Sequence, residues 1–295
     1  MPDVEVHIEL AGRSQRVGLL RRNMARQTET FTFEYDSAWI KDSNSFSIEP
    51  ALSLTPGSFP PPKNRTVFGS LGDSAPDNWG RRLMQRAERR RAKLEGRRVR
   101  TLTELDYLLG VSDETRLGAL RFRWVGDNTF QAPRVEGVPA LIKLGQLMES
   151  SRRILQDQET DEDFRLIFAP GSSLGGARPK ASVIDQHSHL SIAKFPKEND
   201  DYSTETWEEV AMRLAGFAGI ITPEHHLLNV DGKPVMLSRR FDRVNGARIP
   251  FLSALSMTES RDGDRGSYPE IVDALAQYGA RDVRGQSKPA TKGRN

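Results

Sequence analysis

The chain has 295 residues, with 43 Lys and Arg against 40 Asp and Glu, and a formal net charge of +3. That length suits one large domain or two smaller ones, and so mild a charge argues only weakly for nucleic acid as a partner of the whole chain. The sequence has no cysteine, which excludes disulfides and thiol catalysis and suits a reducing cytoplasm. No apolar run approaches the ~18 residues of a membrane span, and the opening Met1-Pro2-Asp3-Val4-Glu5 lacks the order of a signal peptide.

Val4, Val6 and Ile8 alternate with Glu5, His7 and Glu9, which predicts a strand with one apolar and one solvated face. His7 falls on the solvated face. A glycine turn over 11–14 lets 17–20 pair back, and Phe31-Thr32-Phe33-Glu34-Tyr35 alternates as a third strand. Pro50, Pro56, Pro60, Pro61 and Pro62 mark a loop over that sheet. Trp79, Leu83, Ala87 and Leu94 predict a helix over 77–94. Residues 81–100 carry ten cations, opposed only by Glu88 and Glu95. Such a run is either a solvated helix face with a basic loop, or a patch that contacts phosphates. No aromatic row interleaves it, so stacking on single strands is not expected. A short helix over 102–109, a strand over 118–124 and a loop over 125–137 follow. Leu141, Leu144, Met148 and Leu155 then predict the inner face of a helix over 138–155. The polar stretch 156–163 reads as a subdomain boundary.

Residues 171–180 read GSSLGGARPK. The runs Phe164-Arg165-Leu166-Ile167-Phe168 and Ala181-Ser182-Val183-Ile184 flank this segment and read as strands. A glycine-rich turn between strands gathers backbone N–H groups and lets a phosphate approach closely. It is not a Walker loop, since no Lys-Ser/Thr pair follows Gly176, and it is not GxGxxG. By itself such a stretch is more often an ordinary loop than a phosphate cradle. Leu190-Ser191-Ile192-Ala193-Lys194-Phe195 alternates as a strand and puts Lys194 on a rigid element. Such a lysine either guards a sheet edge or reaches nucleotide phosphates. Asp185, His187 and His189 fall in the turn between these strands and read as solvated. Trp207, Val210, Ala211, Leu214 and Phe217 recur at helical spacing, with Thr206 and Glu209 as an expected capping box. Two strands over 225–229 and 234–237 meet at Asp231-Gly232, and Arg239-Arg240-Phe241-Asp242-Arg243 follows. Gly-rich loop, strand, lysine strand and helix is the order of a protein-kinase N-lobe.

From these motifs the chain resembles the HipA family, the serine/threonine kinase toxins of bacterial toxin–antitoxin modules. GSSLGGARPKAS is similar to the family's phosphate loop, IAKFP to its ATP-lysine strand and RRFDR to its hinge. LLGVSD over 108–113 and GALRF over 118–122 are also similar to family signatures. The resemblance implies an α+β protein: a small β-rich N-terminal subdomain over 1–125 and a connecting helix and loop over 126–163. A kinase-like nucleotide-binding N-lobe over 164–243, the start of a C-lobe over 244–278 and a disordered tail over 279–295 complete it. It implies ATP with magnesium, with Gly175, Gly176 and Ala177 offering N–H groups to the phosphates and Lys194 pairing with their oxygens. Glu208 would hold Lys194, Arg239 and Phe241 would line the adenine edge, and Ser173 would be the regulatory phosphorylation site. The implied partners are a HipB-like antitoxin, DNA indirectly through that antitoxin, and a protein substrate such as an aminoacyl-tRNA synthetase.

The resemblance also sets an expectation of incompleteness. The family's catalytic Asp-His loop, its nearby asparagine and its later Asp motif lie in the C-lobe, and no Asp-x-His-x-x-x-Asn group follows Asp242 here. The expected catalytic and metal residues are therefore none, with the C-lobe largely absent and an apolar face left bare. The readings are a HipA-like kinase toxin that is catalytically incomplete, a non-enzymatic remnant that binds a HipB-like antitoxin or DNA, or a fragment complemented by a separate chain.

Overall fold

The computed structural model describes residues 3–25, 28–62, 65–131, 143–168, 178–197, 199–260 and 263–279. The expected tail therefore lies outside the described residues, apart from Gly279. The protein is mixed α and β, and its sheets are antiparallel.

The first unit contains strands β1 (Val4–Leu10), β2 (Arg13–Ala25), β3 (Thr28–Tyr35), β4 (Ser58–Phe59) and β5 (Leu120–Trp124). They form one sheet in the order β4-β3-β2-β1-β5. Its helices are α1 (Ser37–Lys41), α2 (Gly69–Asp73), α3 (Asn78–Leu94) and α4 (Glu104–Leu109). Period-2 alternation puts Val4, Val6 and Ile8 on one face, where they pack with Leu20, Phe33, Phe122, Trp39, Phe68 and Leu108. Gly18 is required there, because a Cβ would stand 2.4 Å from the Glu34 carbonyl oxygen. The Tyr35 hydroxyl donates to Leu52 O at 2.9 Å and accepts from Ile48 N at 3.0 Å. Burial pushes it up to about 12.

The opposite face of β1 corrects one expectation. His7 is buried, not solvated. Its Nε2 meets Glu5 Oε2 at 3.1 Å, and Phe130 packs edge-on against its ring. Arg123 and Arg16 complete the cluster on Glu5, so charge pairing covers a face that alternation alone assigns to water.

The second unit contains α5 (Leu144–Leu155), α6 (Asp161–Phe168), β6 (Lys180–Ile184), β7 (Leu190–Lys194), α7 (Thr204–Phe217), β8 (His225–Val230) and β9 (Lys233–Arg239). Its sheet order is β6-β7-β9-β8. Ala181, Val183, Ala193, Val235 and Leu237 share the face that packs on Leu144, Leu147, Ile154 and Ile167. Trp79 and Leu83 of α3 belong to this second core, and Trp79 Nε1 donates to Lys180 O at 3.1 Å. On α5, Leu155 turns outward and Ile154 takes the inner position. The apolar run 164–168 is helical, not a strand. Thr160 and Asp163 form a reciprocal capping box, and the acids of the first turn suit the positive helix end.

The chain closes with β10 (Arg243–Val244), β11 (Ala247–Arg248), α8 (Ala254–Met257) and α9 (Tyr268–Tyr278). Residues 243–260 pack back on the first unit. Asp73 accepts from Ser253 N at 2.7 Å and from Ser256 Oγ at 3.0 Å, which ties α8 to α2.

Candidate nucleotide-binding site

In the register of β6 and β7, Lys180 stands opposite Lys194, so both project from the face turned away from the second core. Two ammonium groups so placed repel, and each is held by its own acid. Lys194 Nζ pairs with Glu208 of α7. Lys180 Nζ pairs with Asp77 Oδ2 at 2.6 Å, while Asp77 also caps α3. Burial lowers Lys180 and raises Asp77, each opposed by the other's charge. The two lysines differ in access. Lys180 is 4% exposed at its side chain, whereas Lys194 is 32% exposed with Glu208 at 23%, so only Lys194 can offer its charge to a ligand.

The helix that supplies Glu208 starts one turn earlier than its expected capping box. Ser203 is the N-cap and accepts from Thr206 N at 3.2 Å. Glu209, the expected partner in that box, is instead buried, accepts from Arg213 Nε at 2.6 Å and lies 3.5 Å from His225 Nε2. Glu205, one turn before Glu209, is also buried and receives Arg178 at 3.1 Å. Arg178 further pairs with Asp200; this lowers Asp200, chiefly through the hydrogen bond. The residue that leaves the glycine-rich segment is thereby pinned to the N-terminal turn of α7. Sequence reading overlooks both Arg178 and Lys180; the signal was present, since a cation brackets each side of Pro179.

The other face of α7 is bare. Trp207, Leu214 and Phe217 are 61%, 61% and 88% exposed, and Ile220 and Ile221 extend the ridge. Helical spacing correctly groups these residues, yet the side that faces the sheet is the acidic one.

Arg239 stands opposite Ser191, three residues along β7 from Lys194, or roughly 10 Å at the strand rise. Phe241 is exposed and meets Phe251 edge-on at 5.3 Å. Its neighbours point inward. Asp242 is fully buried, takes Arg240 at 2.6 and 2.8 Å and Arg243 at 2.6 Å, and accepts from Gly118 N at 2.7 Å. Burial alone would raise this carboxyl, but the Arg240 hydrogen bonds and the two guanidinium charges hold it below its ordinary value. Arg240 continues to Thr115 O at 2.6 Å, and Arg243 to Arg116 O at 2.8 Å. Arg116 is itself buried, donates to the carbonyls of Ser74, Leu108 and Val111, and is pushed down to about 9 by burial. RRFDR is thus the staple that locks the second sheet to the 113–118 loop of the first unit.

Gly175, Gly176, Ala177 and Ser173 lie outside the described residues. The structure therefore brings together Lys194 and Glu208, and sets Arg239 and Phe241 at the far end of the same strands. Among the described residues no helix is long and apolar enough to cross a membrane. Residues 8–123 match the domain described as the HipA N-terminal domain, and residues 172–289 match the HipA-like C-terminal domain. No curated protein matches the chain.

Proposed function

The chain belongs to the HipA family, and from that premise we propose that it is the toxin component of a toxin–antitoxin module whose second sheet binds ATP in a kinase-like N-lobe. The observation that supports this most is the Lys194–Glu208 pair. A lysine on a strand, held by a glutamate on the following helix and still one-third exposed, suits a point charge offered to phosphate oxygens. Lys194 fits the phosphates of ATP, which would supply the transferable phosphoryl group; among the described residues no acidic cluster is set to hold magnesium. Glu208 holds the ammonium group in place, and Lys194 would donate to the phosphate. Arg178, anchored on Asp200 and Glu205, fixes the exit of the glycine-rich segment.

The activity assigned to these residues is nucleotide binding. A HipB-like antitoxin is the proposed partner. The test is titration with a fluorescent ATP analogue and magnesium. Wild type should bind, Lys194→Ala should weaken binding at least tenfold, and Glu208→Gln should weaken it less. Equal binding by wild type and Lys194→Ala would remove the proposal.

A further inference from the structure

Ten cations crowd residues 81–100, and the fold divides them into two sets. Five are neutralised. Arg81 pairs with Glu104, Arg86 with Asp157 and Glu159, Arg90 with Asp161, and Arg97 and Arg100 with Glu88. Among the described residues, Arg82, Arg89, Arg91, Lys93 and Arg98 have no ion-pair partner, and all five are exposed. Three of the five are ordered further by the helix. At 100° per residue, Arg82, Arg89 and Lys93 fall on one arc of α3, with the half-covered Arg86 between them. Trp79 and Leu83, which pack into the second core, lie about 60° and about 100° round the helix from Arg82, to one side of the arc.

This stripe has no structural return. Cations at i,i+3 and i,i+4 repel, so the arrangement destabilises the helix that carries it. The acids beside it, Asp157 and Glu159, serve Arg86. From Arg82 to Lys93 the stripe runs about 16 Å, which is the axial rise of roughly five base pairs.

We infer that this stripe of α3 contacts the phosphate backbone of duplex DNA without reading its sequence. Charge complementarity is the argument: three unneutralised cations in a row match a row of phosphates. A single strand fits less well, because Trp79, the sole aromatic residue of α3, is buried and no ring is left for stacking. The inference is independent of nucleotide binding at Lys194.

The test is fluorescence anisotropy of the full chain with a random-sequence 30-base-pair duplex, from about 50 to about 200 mM salt. Wild type should bind at low salt. Arg82→Gln/Arg89→Gln/Lys93→Gln keeps good helix formers and should flatten the slope of log affinity against log salt by about 2.7, or 0.9 per lost contact. That difference amounts to roughly 40-fold in affinity across the salt range. A remote control with the same charge change, Arg13→Gln/Lys233→Gln/Arg265→Gln, should follow wild type. The charge-preserving Arg82→Lys/Arg89→Lys should keep the slope, which separates lost charge from a damaged helix. Equal weakening by the stripe and remote variants overturns the inference, as does absence of binding at low salt. Loss of binding to phosphatidylserine vesicles by the stripe variant, with duplex binding unaffected, would also overturn it and mark the stripe as a membrane contact.

Discussion

In the first sheet the apolar side chains of β1, β2, β3 and β5 meet Trp39, Phe68 and Leu108 of the same unit, and the polar face is closed by paired charges. In the second sheet one face is filled in the same way, but the helix on the other face is turned inside out. Glu205 and Glu209 of α7 are buried while Trp207, Leu214 and Phe217 stand in water. The first sheet satisfies both of its faces within its own unit. The second spends a helix on anchoring charges next to Lys194 and leaves the helix's apolar side to some other surface.

The largest test of this contrast is at the staple between the units. Asp242→Asn removes the charge that neutralises buried Arg240 and Arg243, and should cost about 3–5 kcal/mol in urea unfolding. The same substitution tests pH dependence. The folded carboxyl is held below its ordinary value, so its contribution is present above the unfolded value of about 4 and is lost as pH falls through the folded one. Wild type should lose stability on that acid limb more steeply than Asp242→Asn; parallel curves would refute the assignment. Next in size is Arg116→Ala, which leaves three buried carbonyls without their donor and should cost about 3 kcal/mol. A loss near zero would mean that water replaces the guanidinium.

The smallest expected effect on stability sharpens the contrast most. Trp207→Ser/Leu214→Ser/Phe217→Ser should change unfolding free energy by less than about 1 kcal/mol, because these side chains are exposed in the fold. The same variant should lower self-association in sedimentation velocity, since bare apolar patches associate. Destabilisation by several kcal/mol would show that the ridge is part of the core after all.

Much of the first sheet was legible, because Val4, Val6 and Ile8 of β1 alternate and Phe31, Phe33 and Tyr35 of β3 alternate too. His7 was not, since its cover comes from Phe130, distant in sequence. The 164–168 run misled because four apolar residues out of five fit a strand or a helix, and the deciding signal was the Thr160–Asp163 box just before it. On α7, periodicity identified the apolar side but could not say which side faces the sheet. Among the candidate site residues, Lys194 and Glu208 were legible from their order along the chain. Lys180–Asp77 and Asp242–Gly118 were not, because they join residues more than a hundred positions apart, and pairing at that range leaves no local pattern.

The outward ridge of α7 also sets how the protein responds to warmth. Attraction between apolar surfaces is largely entropic near room temperature and fades on cooling. A preparation held in the cold should therefore be more monodisperse than the same preparation on the bench, and its aggregates should dissolve again on chilling.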